Sequence, residues 1–294
     1  MSKNLLLILN PISGKMAGKR HLAQVLEKFC RADYAPLTFV TTGPGHATRL
    51  AEQYGGQVDL VVCLGGDGTF NEVVSGLLKG GHATPIGYIP CGSTNDFASS
   101  IGLKKTVPEA ADAIIEGQPH VYDIGRFGER YFSYVASFGI FTRASYVTPQ
   151  DVKNALGHLA YVLEGVKELS NIHPYYVRLT VDGVEMEGEY LFGAVSNCLT
   201  VGGILALSPE RVDLSDGKLE LLLVKMPRNP VELSDCIRAL VEQKYDSDCI
   251  TFLSGKEFMI SAPPEMEWSL DGEWGPGSEQ VAIRILPGAV TLMH

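Results

Sequence analysis

Disulfide and zinc frameworks are the first classes this sequence rules out. Its six cysteines, Cys30, Cys63, Cys91, Cys198, Cys236 and Cys249, are scattered and form no Cys-x-x-Cys pair, the spacing either framework needs. Reduced thiols, and hence a cytoplasmic protein, are the expectation. No apolar run reaches 18 residues, so no membrane-spanning helix is expected. Leu5 to Leu9 is too short for a secretory signal and ends in Asn10-Pro11. Positive charge is also scarce, with 24 Lys and Arg against 34 Asp and Glu, a net charge of −10. That balance excludes a general nucleic-acid binder, which needs a basic field, and strong electrostatic attraction to an anionic membrane. The seven histidines form no His-Glu-x-x-His, and no Gly-x-Ser-x-Gly elbow is present. Internal repeats, low-complexity tracts and long linkers are absent too.

What remains is globular composition, 45% hydrophobic and 20% charged over 294 residues, enough for two domains or one large one. Asn4 to Leu9 reads as a buried parallel strand. It enters the loop Asn10-Pro11-Ile12-Ser13-Gly14-Lys15, and a helix follows at about Ala17 to Arg31. The loop sits where a P-loop would, but lacks the Gly-x-x-x-x-Gly-Lys-Ser/Thr spacing. A strand over Leu37 to Thr41 leads to Thr42-Gly43-Pro44-Gly45 and a helix near His46 to Tyr54. The strand Asp59 to Leu64 ends in Gly65-Gly66-Asp67-Gly68-Thr69-Phe70-Asn71-Glu72, which opens an apolar-periodic helix. The strand Pro85 to Ile89 runs into Pro90-Cys91-Gly92-Ser93-Thr94-Asn95-Asp96-Phe97, and a helix near Pro108 to Glu116 closes the section. Strand alternating with helix predicts an α/β domain with an open, mostly parallel sheet. Ligands bind such sheets outside the carboxyl ends of the strands, where all four polar loops fall.

The texture changes after about residue 120. Strands are expected over Val121–Phe127, Tyr131–Phe138, Tyr176–Val181, Val184–Asn197, Lys218–Val224, Thr251–Ile260, Met266–Leu270 and Gln280–Ile285. Helices are expected near 149–169 and 230–243. This predicts a C-terminal antiparallel β-sandwich over 121–286. The first domain covers 1–120, and the chain end near 287–294 is free to return to it.

Several constellations bear on chemistry. Glycines at 65, 66 and 68 allow positive φ and close approach of a ligand to the main chain, while the following helix N-terminus attracts anions. A bare carboxylate at Asp67 repels phosphate unless Mg²⁺ lies between them. A tight turn with Asp67 as a helix cap is the plainer alternative. Asp67 and Asp96 end strands that neighbour one another if the sheet is ordered simply, and together suit Mg²⁺; Asp96 as a plain N-cap stays open. Asp213-Leu214-Ser215-Asp216-Gly217-Lys218 is explained by a hairpin turn alone. Asp271-Gly272-Glu273 follows Trp268-Ser269-Leu270; an acid beside tryptophan could be desolvated into a general base, or could face solvent in another tight turn. Lys15, Lys19 and Arg20 could meet phosphate, with a solvated helix face as the alternative for the last two.

Taken in order, Asn10-Pro11-x-Ser13-Gly14-Lys15, Gly65-Gly66-Asp67-Gly68-Thr69, Pro90-x-Gly92-Ser93-x-Asn95-Asp96-Phe97 and Asp271-Gly272-Glu273 resemble the soluble diacylglycerol kinase catalytic-domain family. Ser145-Tyr146-x-Thr148-Pro149-Gln150 and Lys153-Asn154-x-Leu156-Gly157 look like its bacterial branch. The resemblance implies ATP as donor, Mg²⁺, and a lipid hydroxyl as acceptor. It implies that Asn10 to Gly14, Thr41, Gly66 to Glu72 and Ser93 line the nucleotide, with Asp67 and Asp96 in the Mg²⁺ and phosphate network. Lys15, Gly65 and Asn95 belong to the same motifs. Asp216 would help bind a structural Mg²⁺, with Asp213 and Lys218 contributing backbone carbonyls. Asp271 or Glu273 would take the acceptor's proton. Ser93 replaces the family's usual threonine and keeps the hydroxyl; Thr42 is an alternative to Thr41.

A lipid acceptor implies transient peripheral membrane contact, for which Lys104-Lys105 is one candidate and ordinary surface lysines are the alternative. Diacylglycerol is the first expectation for the acceptor, with undecaprenol, a sphingoid base or a related alcohol as alternatives that offer the same hydroxyl on an apolar tail. A soluble-substrate kinase resembling NAD kinase shares the glycine turn, but the Asn-Pro-x-Ser-Gly-Lys loop and the Asp-Gly-Glu turn count against it. A nucleotide-binding regulator without catalysis is the third reading. A homodimer through an exposed strand edge stays open.

Overall fold

The computed structural model describes residues 2–14, 16–140, 173–201, 205–245 and 247–294. The expected helix near 149–169, Lys15 and the branch signature at 145–157 lie outside the described residues. The chain divides into two compact units, one of residues 1–124 with 287–294 and the other of residues 125–286.

The first unit alternates β1 (Lys3–Leu9), α1 (Ala17–Arg31), β2 (Tyr34–Val40), α2 (His46–Tyr54), β3 (Leu60–Gly65), α3 (Asp67–Gly80), β4 (Ile86–Pro90), α4 (Asp96–Ser100) and α5 (Val107–Glu116). Its sheet runs β2-β1-β3-β4, all parallel. Leu5 to Leu9 are all buried, because helices cover both faces. Leu5, Leu7 and Leu9 pack with Val25 and Phe29 of α1 and Ala110, Ala111 and Ile114 of α5. Strand alternation leaves Leu6 and Ile8 for the opposite face, where α2 and α3 pack together. The short helix α4 is the one that an N-cap at Asp96 would require, but the cap position is Asn95, with no side-chain cap, and Asp96 is the first helical residue. It starts at Asp96 after Asn95, whose φ of 53° turns the chain out of the preceding loop.

β5 (Pro119–Phe127) leads into the second unit, which holds β6 (Arg130–Phe132), β7 (Val135–Gly139), β8 (Tyr175–Val181), β9 (Val184–Ser196), β10 (Thr200–Val201), β11 (Leu205–Ala206), β12 (Leu219–Lys225), α6 (Pro230–Val241), β13 (Ile250–Gly255), β14 (Glu257–Ser261), β15 (Trp268–Leu270), β16 (Glu273–Gly275) and the start of β17 (Gln280–Met293). The 13-residue β9 belongs to two layers. Its first half pairs with β8, which continues to β14 and β17. Its second half lies between β7 and β12, which continue to β15 and β16 on one side and β13 on the other. Val177, Leu179, Phe258, Ile260 and Ile283 of one layer meet Phe138, Val195, Leu221, Leu223 and Trp268 of the other in a single core. This is the expected β-sandwich.

Two of the expected strands are broken, each by one carboxylate. The stretch 131–138 is interrupted at Ser133-Tyr134, where Asp271 takes the backbone N–H groups of 133, 134 and 135. The stretch 251–260 changes partner at Lys256, where Asp182 accepts the N–H of Lys256 and Glu257; β13 pairs with β12, and β14 with β8 and β17. Among the described residues, no helix is long and apolar enough to cross a membrane.

Candidate active site

In the first unit, the loops after β1, β2, β3 and β4 meet at the carboxyl edge of the parallel sheet. Asn10 leaves β1 and donates from Nδ2 to Thr69 Oγ1 at 2.9 Å, while its Oδ1 accepts the N–H of Ile12 at 3.1 Å. The first loop is thereby tied to the first turn of α3. Pro11, Ser13 and Gly14 are half-buried and Ile12 is exposed.

Of the two freedoms glycine allows, positive φ is not used at the central turn: Gly65, Gly66 and Gly68 are absent from the left-handed region, whereas Gly14 has φ 52°. Close approach is what requires glycine here. A Cβ on Gly92 would sit 2.7 Å from Gly66 Cα, and one on Gly66 would sit 3.1 Å from Gly92 Cα. A Cβ on Gly65 would overlap Thr69 Cβ at 2.5 Å. The two glycine turns therefore lock against each other, and Gly14 packs on the carbonyl of Cys91.

The N-terminus of α3 begins at Asp67 after Gly66, with no side-chain cap. The first-turn N–H groups of a helix and the positive end of its dipole favour an anion. Asp67 Oδ2 accepts the N–H of Asp96 at 3.1 Å, so the structure does bring the two acids together. Asp67 Oδ1 is buried with no hydrogen-bond partner. Burial, and then the charge of Asp96, push Asp67 up to about 6. A buried carboxylate with a bare oxygen beside a second buried acid suits a bound cation. Among the described residues, no three His, Cys, Asp or Glu side chains converge as a metal cage. Two carboxylates completed by water and phosphate oxygens suit Mg²⁺, which retains much of its hydration.

The other predicted residues divide by surroundings. Glu72 accepts the N–H of Gly45 at 2.8 Å and of Ala47 at 3.0 Å, so both its oxygens hold the start of α2 and the loop before it. Asn95 accepts the N–H of Gly92 at 2.9 Å and donates to its carbonyl at 3.0 Å, shaping its own loop. Thr41 is half-buried and donates its N–H to Leu9 O at 2.8 Å; Thr42 is exposed beside His46. Ser93 is exposed at the rim, and Asn71 is half-buried in the first turns of α3. Lys19, Arg20, Lys104 and Lys105 are exposed.

The second unit carries the remaining candidates. Asp271 has φ 50° and is 5% exposed. Its Oδ2 accepts from Ser133 N at 2.6 Å and Ser133 Oγ at 2.7 Å, and its Oδ1 from Tyr134 N and Val135 N at 3.0 Å each. Burial pushes it up to about 6 against these bonds. It does not face solvent, and its four acceptor positions are filled. Glu273, two residues on, keeps 53% of its side chain exposed, with the Arg130 guanidinium 3.7 Å away.

In the 213–218 turn, Asp213 accepts the N–H and hydroxyl of Ser215, and Asp216 accepts the N–H of Lys218. The three metal residues predicted in this turn, Asp213, Asp216 and Lys218, are exposed. Sequence reasoning passed over Glu220 beside them. It is 1% exposed, its Oε2 has no partner, and burial followed by Asp216 pushes it up to about 8. A lone acid inside Leu-Glu-Leu-Leu-Leu-Val was the available signal. Among the described residues, Glu220, Asp213 and Asp216 do not gather into a group that could hold a metal by itself.

Residues 4–127 match the diacylglycerol kinase catalytic domain family. Residues 135–294 match the YegS C-terminal NAD kinase beta sandwich-like domain family. The chain is 35% identical to the diacylglycerol kinase of Bacillus subtilis (strain 168), covering 92% of this chain and 89% of that protein. It is 32% identical to the diacylglycerol kinase of Staphylococcus epidermidis (strain ATCC 12228), covering 94% and 87%. A crystal structure of a diacylglycerol kinase from Bacillus anthracis str. Sterne superimposes with a TM-score of 0.75 at 25% identity, covering 99% of this chain and 97% of that one. Two further solved chains from that strain give TM-scores of 0.81 and 0.79. With both units matched and the glycine loops and paired acids in place, the chain belongs to the diacylglycerol kinase family of lipid kinases.

Proposed function

We propose that the protein transfers the γ-phosphoryl group of ATP to the free hydroxyl of diacylglycerol, giving ADP and phosphatidic acid. The observation that carries this reading is the locked glycine cluster: an uncapped α3 N-terminus beside Asp67, whose buried Oδ1 has no partner. Backbone N–H groups at Gly66, Gly68 and Thr69 hold the donor's phosphates, and Asn10 keeps Thr69 in place. Mg²⁺, when bound, neutralises charge on the transferring group; Asp67 and Asp96 are the residues that hold it. A second, structural cation would be held by Asp216 together with the backbone carbonyls of Asp213 and Lys218.

The proton of the acceptor hydroxyl passes to Glu273. Asp271 is the weaker base candidate, because protonating it breaks one of four hydrogen bonds in a buried site. Its role is to position the turn. The acceptor oxygen forms a bond to the γ-phosphorus, the bond from that phosphorus to the bridging oxygen breaks, and ADP carries away the electron pair.

A second reading is favoured by one observation: the family matched at residues 135–294 is described as NAD kinase beta sandwich-like. The two are separated by labelled ATP and Mg²⁺ offered to diacylglycerol, ceramide, sphingosine and undecaprenol in mixed micelles, with NAD as the soluble acceptor. Label in diacylglycerol, lost in Asp67→Ala and Glu273→Gln, is the expected result. Label in NAD alone overturns the lipid reading. ATP binding with no transfer to any acceptor supports the regulator instead.

A further inference from the structure

We infer that Phe97 is a positioning residue for the Mg²⁺ pair: its ring holds α4 against α3 so that Asp96 stays beside Asp67. The inference rests on the phosphoryl-transfer reading above, in which those two acids carry the cation.

The helix α4 cannot place itself. It has five residues, and Asn95 at its cap position makes no side-chain cap. A helix that short is unstable alone, so packing must hold it. Phe97 supplies that packing. It is fully buried, and its ring stacks on that of Phe70 with centroids 4.8 Å apart and planes at 26°. Phe70 is fully buried too and lies three residues beyond Asp67 on α3, so the two share a face of that helix. Tyr88 of β4 also stacks on Phe70, at 4.6 Å and 17°. Tyr122 of β5 meets the Phe97 ring edge-on, at 5.9 Å and 78°. The Tyr88 hydroxyl reaches the cap position as well, donating to Asn95 Oδ1 at 3.4 Å.

Each acid is therefore tied to this stack through its own backbone. Asp96 directly precedes Phe97, and Asp67 stands one turn before Phe70. The result is the 3.1 Å contact between Asp96 N and Asp67 Oδ2. A flat ring stacked on one neighbour and met edge-on by another fixes both the depth and the rotation of the helix that carries it. Leucine fills much of the same space without fixing rotation. Mg²⁺ demands near-ideal octahedral geometry with oxygens at about 2.0–2.1 Å. A shift of about 1 Å between the two carboxylates is tolerable to a core and costly to such a site.

The plainer alternative is that Phe97 is one more core ring, and Phe29 provides the control. It is equally buried, on the side of the sheet covered by α1 and α5. Wild type, Phe97→Leu and Phe29→Leu are compared at a temperature where circular dichroism shows all three folded. The first readout needs neither metal nor substrate: amide hydrogen exchange at Asp96, followed by NMR on ¹⁵N-labelled protein in EDTA. A first-turn N–H has no acceptor within its own helix, so protection at Asp96 reports its bond to Asp67. The second readout is the half-saturating Mg²⁺ concentration for transfer from ATP to diacylglycerol.

In Phe97→Leu, protection at Asp96 should fall about tenfold or more, half-saturating Mg²⁺ should rise about tenfold, and kcat should drop by roughly 10–10². The KM for diacylglycerol should hold. Phe29→Leu should lower the melting temperature with none of these changes. Should Phe97→Leu fail to fold, Phe97→Met, whose unbranched chain adapts to irregular space, carries the same comparison. Unchanged protection at Asp96, or an unchanged Mg²⁺ requirement, in the folded Phe97 variant overturns the inference. Equal changes in Phe29→Leu also overturn it and make Phe97 an ordinary core ring. If the wild type labels no lipid, the lipid reading falls, and exchange at Asp96 alone then supports or overturns the inference.

Discussion

Asp67→Asn should stabilise the metal-free protein while abolishing Mg²⁺-dependent turnover. Asparagine keeps the shape of the side chain and an acceptor for the N–H of Asp96, now held at 3.1 Å. It removes a negative charge that is buried, faces Asp96 and has one oxygen without a partner. Asp67 stands at about 6 in the folded chain, against about 3.9 when unfolded. The ionised form is therefore the one that folding penalises. The penalty is absent below about pH 4, grows through the window from 4 to 6 and is complete above it, so this group makes stability fall as pH rises. At 1.36 kcal/mol per pH unit the penalty is about 1–3 kcal/mol. At roughly 2–4 °C per kcal/mol, the variant should melt higher than wild type at pH 7.5 in EDTA. The gap should close near pH 4. Added Mg²⁺ should raise the melting temperature of wild type more than that of the variant. Thermal unfolding by circular dichroism at both pH values measures this. A variant less stable than wild type at pH 7.5 would refute the reasoning, because Asp67 would then be a helix-capping residue and not a charge awaiting a cation.

Asp271→Ala leaves three buried backbone N–H groups and the Ser133 hydroxyl without their acceptor. At about 1–3 kcal/mol each, damped by relaxation, this should cost several kcal/mol in urea denaturation. Glu273→Gln should change stability by under about 0.5 kcal/mol, yet lower kcat by roughly 10²–10⁴; equal stability losses in the two variants would contradict the division of roles. Gly92→Ala places a methyl 2.7 Å from Gly66 Cα, so it should weaken ATP binding by calorimetry more than Gly66→Ala does. Glu72→Ala frees the N–H groups of Gly45 and Ala47. It should cost about 0.5–2 kcal/mol, as loss of a helix cap does, with increased hydrogen exchange in the 41–47 segment.

The α/β unit was legible because its signals are local. A strand buried on both faces must be apolar throughout, as Leu5 to Leu9 is, and a glycine turn that opens a helix is visible within a few residues. The sandwich was legible in class but not in detail. Whether 131–138 is one strand or two depends on Asp271, more than a hundred residues away, and no window along the chain contains both. At the glycines the sequence left two reasons open, positive φ and close approach; only packing shows that the close approach is to another backbone, between 66 and 92.

Pattern and motif by themselves determined the alternation of strands and helices in the first unit and the carboxyl-edge placement of the polar loops, each from periodicity or from turn chemistry within a few residues. The adjacency of β3 and β4 and the contact of Asp67 with Asp96 came from the fold. Tertiary structure decided which polar groups are satisfied. It filled every acceptor position of Asp271 and left Glu273 exposed. It committed Glu72 to the start of α2 and Asn95 to its own loop, and left Asp67 Oδ1 and Glu220 Oε2 buried with no partner. Hydrogen-bond satisfaction and burial are properties of groups brought together from distant parts of the chain, so they exist only once the chain has folded.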